Sequence, residues 1–285
     1  MPQPAEIDAA YRHACRMEIE ALKPGNVHRF ADGHRMSAQQ FLDSAEVSAG
    51  AVCHPGWPVG RRVLDAIRMT REAVGTNTNL GIVLLCAPLA TAAEAGGNDL
   101  QGELAAVLGA MDDRDAEDVF SAITLAAPGG LGEAANDVAE PPRVPLLVAM
   151  REAAERDMIA RQYVSDFADI FSGGLAAYRT AEAVGETGMW PTVFTYLHFL
   201  SRFPDSHVAR KHGVERAEEI RLEAASVAGQ LGEIAAEPER LRLLVDFDRR
   251  LKAENINPGT SADLTVATVF AERLNFVLHN SQVSA

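Results

Sequence analysis

Apolar residues recur at helical spacing along nearly all of the 285-residue chain, and runs rich in Val, Ile and Thr between turn signals, which would mark strands, are missing. That pattern predicts an all-α fold, a single multi-helix domain over residues 1–285 with about ten to twelve helices. The first helix is expected to run to about Leu22 and to stop at Pro24 and Gly25. In "SAQQF", Ser37 and Gln40 form a capping box and Phe41 opens the apolar face of the second helix. Further helices are expected near residues 59 to 74, 79 to 95, 101 to 111, 115 to 126, 146 to 172, 174 to 185, 190 to 203, 206 to 231, 237 to 254 and 260 to 279. Pro191 and Pro238 fit first helical turns, and Gly96-Gly97 and Gly173-Gly174 fit helix ends. One long irregular stretch remains, "LAAPGGLGEAANDVAEPPRVP". It reads as a functional loop rather than a linker, because the helices on both sides are too apolar to stand as separate bundles.

With 47% hydrophobic residues the chain can bury a full core, and it needs no staple. A formal charge of -14 excludes a nucleic-acid backbone as the expected partner. It leaves room for an anionic small molecule whose charge is neutralised by Mg²⁺. Cys15, Cys53 and Cys86 are widely spaced and form neither CxxC nor zinc spacing, so they read as reduced, buried thiols. The N-terminal residues lack a signal-peptide core, and "LGIVLLCAPLATAAEA" is too short and Pro-interrupted to span a membrane. The expected location is cytoplasmic, without membrane contact, and a homo-oligomer is compatible with the sequence. No GxxxxGK[ST], HExxH, GxSxG or strand-borne GxGxxG is present, which removes the usual support for P-loop, zincin, hydrolase and Rossmann readings.

Six punctuated segments carry polar groups. In "ENINPGTSADLTVATVF", Thr260 or Ser261 can cap the last helix, while Asn257, Asp263 and free backbone amides can converge on a nucleotide or its metal ion. In "ALKPGNVHRFADGH", a helix ends on Lys23 and a Pro-Gly turn releases Asn26, His28, Asp32 and His34. These offer acid-base, metal and phosphate contacts, although Lys23 alone reads first as a dipole partner or surface charge. "GTNTNLG" places Asn77 and Asn79 at one helix start, where one can cap and the other can face a ligand. In "GGLGEAANDV", Glu133 and Asp137 share a face if helical and suit a divalent cation. "ERDMIARQY" sets Asp157 and Arg161 on one face as a surface ion pair. "FPDSHVARKHG" combines Asp205, an expected cap, with His207, Arg210 and Lys211, a basic patch suited to phosphate. The shared design, a turn followed by a helix N-terminus bearing Asn, Asp or Glu, implies a polar cleft between helices.

Taken in order, "KPGNV", "TNTNLG", "GLGEA", "DSHVARKHG" and "NPGTSADL" resemble the triphosphoribosyl-dephospho-coenzyme A synthase family over almost the whole chain. The resemblance implies an all-helical transferase with ATP and 3'-dephospho-coenzyme A as substrates and Mg²⁺ as cofactor. In that reaction a ribose hydroxyl of the coenzyme attacks the anomeric carbon of ATP and adenine leaves. Such glycosyl transfer needs a base, help for the leaving group and neutralisation of the triphosphate. On this reading Glu133, Asp137 and Asp263 are catalytic. Asp32, Glu133, Asp137, Asp205 and Asp263 are metal ligands, and Lys23, Asn26, His28, His34, Asn77, Asn79, Arg161, Arg210 and Asn257 bind substrate.

The chain also departs from the family pattern. Asn79 and Leu80 stand where Asn-Thr-His-Lys-Gly has His and Lys, and Leu131 stands where an Arg is common. Asn26-Val27-His28 replaces Leu-Val-Asp, and His34-Arg35-Met36 replaces His-x-Asp-Met. The departures suggest a divergent subgroup and keep two alternatives open. One is a nucleotide-dependent enzyme of one-carbon cofactor biosynthesis, of tetrahydromethanopterin or methylofuran type. The other is a non-catalytic helical protein that binds a nucleotide or a partner.

Overall fold

The computed structural model describes residues 1–127 and 144–283. Among them are fourteen α-helices and no strand. The first six are α1 (Pro4–Glu20), α2 (Ala38–Val52), α3 (Val59–Val74), α4 (Leu80–Glu94), α5 (Leu100–Gly109) and α6 (Asp113–Ala126). After the undescribed residues come α7 (Leu146–Ala153), α8 (Met158–Val164), a π-helical segment Asp169–Gly174 and α9 (Leu175–Ala183). The chain continues with α10 (Trp190–Arg202), α11 (Ser206–His212), α12 (Val214–Glu233), α13 (Glu237–Ala253) and α14 (Gly259–Val283).

The all-α expectation holds, and the helix count is higher than expected because two of the predicted helices are broken. The stretch expected to be one helix over 146 to 172 is interrupted at Asp157, whose Oδ1 accepts the amides of Ile159 (2.8 Å) and Ala160 (3.2 Å) and starts α8 afresh. Asp166 and Phe167 then adopt left-handed φ of 50° and 56°, which ends α8 before the π-helical segment. The expected 206 to 231 helix breaks at Gly213, where φ is 91°. The capping box at α2 forms as read: Gln40 N–H donates to Ser37 Oγ at 3.3 Å and Ser37 N–H donates to Gln40 Oε1 at 2.9 Å.

Burial gathers these helices round two apolar clusters. The larger draws on α1 to α9 and includes Tyr11, Val63, Leu85, Phe120, Tyr163 and Phe270. The smaller draws on α10 to α13, with Trp190, Leu197, Ile220, Leu244 and Leu251. Three segments join them, one of them α10, which adds Phe199 to the larger cluster. Helix α14 contributes Ala262 to the smaller cluster and Leu264 to Leu278 to the larger; α1 contributes Ile7 to Ile19 to the larger, and Ala21 and Leu22, just past its end, to the smaller. Helix α4 is buried all round from Leu80 to Ala90, which accounts for its lack of a polar face. No helix among the described residues is long and apolar enough to cross a membrane. The three cysteines are buried and free, and burial pushes the Cys15 thiol up to about 12.

At the α1 junction lies a buried ion pair. Lys23 is 0% and Glu18 2% exposed. The Lys23 ammonium has three N–H groups and three acceptors: a Glu18 carboxylate oxygen, Asn26 Oδ1 at 2.9 Å and Val27 O at 2.6 Å. Burial pulls the Lys23 pKa down and pushes that of Glu18 up, and each partner opposes the shift of the other. Removing one member should leave an uncompensated buried charge, so Lys23→Met should destabilise by about 3–5 kcal/mol. The double variant Lys23→Met/Glu18→Gln should lose clearly less than the two single losses added. Urea unfolding checks this, and strict additivity would refute the coupling.

Candidate active site

The loop from Pro24 to Ser37 is a strap clamped to α10 and α13. Tyr196 OH donates to Pro24 O at 2.7 Å, and Gly25 N–H donates to Asp248 Oδ1 at 2.9 Å. Gly25 has φ 84°, and a Cβ there would meet Pro258 Cδ at 2.8 Å and Leu251 Cδ1 at 2.9 Å, so both conformation and space require glycine. Further along, His28 Nε2 lies 3.2 Å from Asp248 Oδ1, and Lys252 Nζ donates to Ala31 O at 3.0 Å. His34 then turns back, with Nε2 2.7 Å from Gly25 O and Nδ1 3.2 Å from Asn255 Oδ1.

Between this strap and the N-terminal ends of α4, α8, α11 and α14 lies a cavity of ≈ 1210 Å³. Its lining combines apolar side chains, among them Phe120, Ile123, Leu146 and Met150, with polar groups from the helix ends and the strap. At the start of α4, Asn77 Oδ1 accepts the Leu80 amide at 3.1 Å and is the cap. Asn79 instead donates from Nδ2 to Thr70 Oγ1 at 3.1 Å. The other helix ends are tied together by carboxylates. Asp205 Oδ1 accepts the amides of His207 (2.9 Å) and Val208 (3.1 Å), and its Oδ2 accepts Ser261 N–H (2.7 Å) and Oγ–H (2.8 Å). One buried side chain therefore caps α11 and the first turn of α14 at once. Thr260 and Ser261, expected to cap α14, lie inside its first turn. Asp157 Oδ2 accepts from Arg210 at 2.6 Å, while Arg161 pairs with Asp169 at 3.0 Å, so the expected Asp157–Arg161 pair is replaced by two others.

Asp263, half-buried on the first turns of α14, makes no hydrogen bond or ion pair among the described residues and lines the cavity. Its carboxyl lies against Gly81, where a Cβ would come within 2.5 Å of Asp263 Cγ and 2.6 Å of Ile159 Cδ1. Burial first, then the charges of Glu18 and Asp205, push its pKa well above the usual carboxylate range. His207 is held neutral, its pKa pushed down to about 3 by burial and by Lys211 and Arg210. Asn79 Oδ1, His207 Nε2 and Arg210 Nε are closed to solvent with no partner among the described residues, all on residues that line this cavity. Unmade bonds of this kind cost about 1–3 kcal/mol each and mark a wall not arranged for stability alone.

The cavity thus brings together Asn26, His34, Asn77, Asn79, Arg161 and Arg210, with Asn257 and Asp263. Three expected contacts are elsewhere. Lys23 is enclosed in its ion pair, His28 is buried beside Asp248, and Asp32 accepts the Ala38 amide at 2.9 Å on the surface. Asp205 lies behind the wall with both oxygens taken, which leaves it a capping role and no open oxygen for a metal. Glu133 and Asp137 lie outside the described residues. No group of three or more metal-ligating side chains occurs among the described residues. Sequence reading missed Glu18, Arg35, Arg71 and Arg156, all on the cavity wall. Only Glu18 left a signal: it continues the buried stripe Ile7, Ala10, Tyr11, Ala14 of α1, where a carboxylate is out of place.

These features define an all-helical protein with one large site built from helix N-termini and a clamped strap. The chain belongs to the CitG family, ATP:dephospho-CoA triphosphoribosyl transferase, whose sequence pattern matches residues 4–281. It is similar to a crystal structure from Archaeoglobus fulgidus assigned as a triphosphoribosyl-dephospho-CoA synthase, with 29% identity and a TM-score of 0.64 over 81% of this chain and 96% of that one. It is also 32% identical, over 105 residues, to a Citrobacter koseri protein assigned as a 2-(5''-triphosphoribosyl)-3'-dephosphocoenzyme-A synthase. That match spans 37% of this chain and about a third (34%) of the curated relative. If the Gly81 contact sets the Asp263 carboxyl, Gly81→Ala should displace it and lower turnover by about tenfold or more. Comparison of kcat for the folded variant with wild type decides this, and an unchanged kcat would detach Asp263 from the chemistry.

Proposed function

We propose that this chain transfers the triphosphoribosyl group of ATP to the ribose hydroxyl of a 3'-dephospho-coenzyme A acceptor, with release of adenine. One observation carries the reading. In a chain of net charge -14, Arg35, Arg71, Arg156 and Lys211 stand on the wall of one cavity with no ion-pair partner among the described residues. Uncompensated cations at a concave site suit a polyphosphate. The volume supports two substrates, since ≈ 1210 Å³ exceeds the roughly 300–1,000 Å³ of pockets for one small ligand. Mg²⁺ enters in this reading as part of the ATP complex, where it neutralises phosphate charge. The open carboxyl and carboxamide groups on the wall fit such a substrate-borne ion better than a protein cage.

The bond between the anomeric carbon and adenine breaks as the acceptor oxygen bonds to that carbon. Adenine must gain a proton and the acceptor hydroxyl must lose one. Asp263 is assigned the first task, because burial and neighbouring carboxylates push its pKa well above the usual carboxylate range, which favours its protonated form. Arg161 and Arg210, fixed by Asp169 and Asp157, are assigned to orient phosphate oxygens. Asn26 and Asn257, joined at 2.9 Å, are assigned to the ribose hydroxyls. A cytoplasmic location accords with this chemistry.

Incubation with ATP, Mg²⁺ and 3'-dephospho-coenzyme A should give adenine and the triphosphoribosylated coenzyme in equal amounts by mass spectrometry. ADP in place of adenine would refute the reaction, and adenine only with one-carbon cofactor precursors would move the acceptor to that class. Asp263→Asn should lower kcat by about a hundredfold or more. Its stability has a defined sign. A carboxyl with a raised folded pKa supports the fold below its unfolded value and loses that support as pH rises through the folded value. The Asn variant should therefore melt above wild type at pH 7, with the difference fading toward about pH 4. Equal melting at both pH values would place Asp263 in an ordinary solvated setting.

A further inference from the structure

The strap carries a tight turn at the cavity, with left-handed backbone at two residues that are not glycine. His34 and Arg35 both adopt left-handed φ, 54° and 63°, without being glycine, and Asn255, the residue His34 touches, has φ 58°. Half of the six non-glycine residues of positive φ among the described residues thus meet at one spot on the cavity. For His34 the conformation has a return, two hydrogen-bond distances that tie the strap to Gly25 and Asn255. Arg35 has none. Its side chain is exposed, lines the cavity, and makes no hydrogen bond, ion pair or ring contact among the described residues. Two successive left-handed residues turn the chain sharply, so the clamp from Asp248 through His34 fixes the position from which the Arg35 guanidinium extends. Left-handed φ at a residue other than glycine still carries a cost, and it persists here because the Gly33–Met36 bonds and the His34 contacts over-determine the turn.

We propose that Arg35 is a phosphate-binding residue, held at the cavity by the strained His34-Arg35 turn, and that its partner is a phosphate oxyanion of a bound substrate. The inference rests on reading the cavity as a polyphosphate site and names the group that binds there. A guanidinium offers a planar fork of donors to two phosphate oxygens, and a carboxylate at this position would repel them. Two sources supply such an oxyanion, the triphosphate of the nucleotide and the diphosphate of the acceptor.

Calorimetric titration of the full-length protein with inorganic tripolyphosphate, Mg²⁺–ATP and 3'-dephospho-coenzyme A separates them. Arg35→Ala keeps the backbone strain and removes the charge; Arg35→Gly removes both. Both variants should bind at least one of the three ligands about ten- to a hundredfold more weakly than wild type. A loss confined to tripolyphosphate and ATP assigns the nucleotide, and a loss confined to the coenzyme assigns the acceptor. Arg35→Gly should melt no lower than wild type and above Arg35→Ala. Unchanged binding of all three ligands in both variants overturns the proposal, as does an Arg35→Gly protein that melts well below wild type. If wild type binds tripolyphosphate through Arg35 but neither nucleotide, the proposed transferase reading falls and the phosphate site stands; if it binds none of the three, both fall.

Discussion

The Lys23 ammonium and its three acceptors are the interaction on which the site depends. A lysine with no exposed surface survives in this core only because Glu18, Asn26 and Val27 satisfy every proton it carries. Those partners belong to different structural jobs. Glu18 ends α1 and reaches the cavity, and Asn26 passes the contact to Asn257 at the entrance to α14. The pair also sits where the chain leaves the larger apolar cluster and enters the smaller one at Ala21 and Leu22. Apolar packing joins the clusters without direction; the ammonium adds direction, because its acceptors must lie at fixed distances and angles.

A second constraint is electrostatic. Glu18, Asp205 and Asp263 gather at one end of the cavity, and like charges so placed cannot all ionise cheaply. The structure resolves the conflict by giving each a different environment. Glu18 has Lys23, Asp205 has four hydrogen-bond donors from α11 and α14, and Asp263 has none among the described residues. This supply of donors favours the protonated form at Asp263, the carboxyl that faces the open cavity. Two carboxylates thus raise the proton affinity of a third, a division of labour set by hydrogen-bond supply.

Local rules written in short spacings were legible in the sequence, while rules needing partners distant in sequence were not. Ser37 with Gln40, Gly25 after Pro24, and Asp205 ahead of α11 each declare their function within a few residues, and the structure has them as caps and turns. Asn26, Asn77 and Asp263 were visible as polar groups at helix boundaries, and all line the cavity. Lys23 misled because a lysine at a helix end ordinarily reaches solvent, and its acceptor Glu18 identifies itself only once α1 is known to bury that face. Asp157 misled for a similar reason: Arg161 is near in sequence, but Arg210, 53 residues away, is the partner that folding delivers. Arg71 and Arg156 carry no local signal at all, since an arginine beside a loop looks the same whether it faces bulk water or a cavity.

The departures from the family pattern take on a different meaning in three dimensions. Asn79 and Leu80, where His and Lys are common, read in sequence as a lost phosphate contact. In the fold, Asn79 turns its amide inward to Thr70, and Leu80 is buried at the head of α4, so the two positions line the cavity without contributing charge. Charge is instead present on the strap at Arg35, at the end of α3 at Arg71, and ahead of α8 at Arg156. A polyanion requires enough positive charge within a few ångströms, but Coulomb attraction does not prescribe which backbone supplies it. Sequence comparison position by position scores each replaced cation as a loss, whereas a cavity lined by several elements can keep its charge while exchanging the element that carries it. The shape of the charge nonetheless changes with its origin, because a guanidinium on a clamped strap reaches the site from a different direction than an ammonium on α4 would. A difference in direction, at similar total charge, alters which phosphate is held and therefore which substrate is preferred.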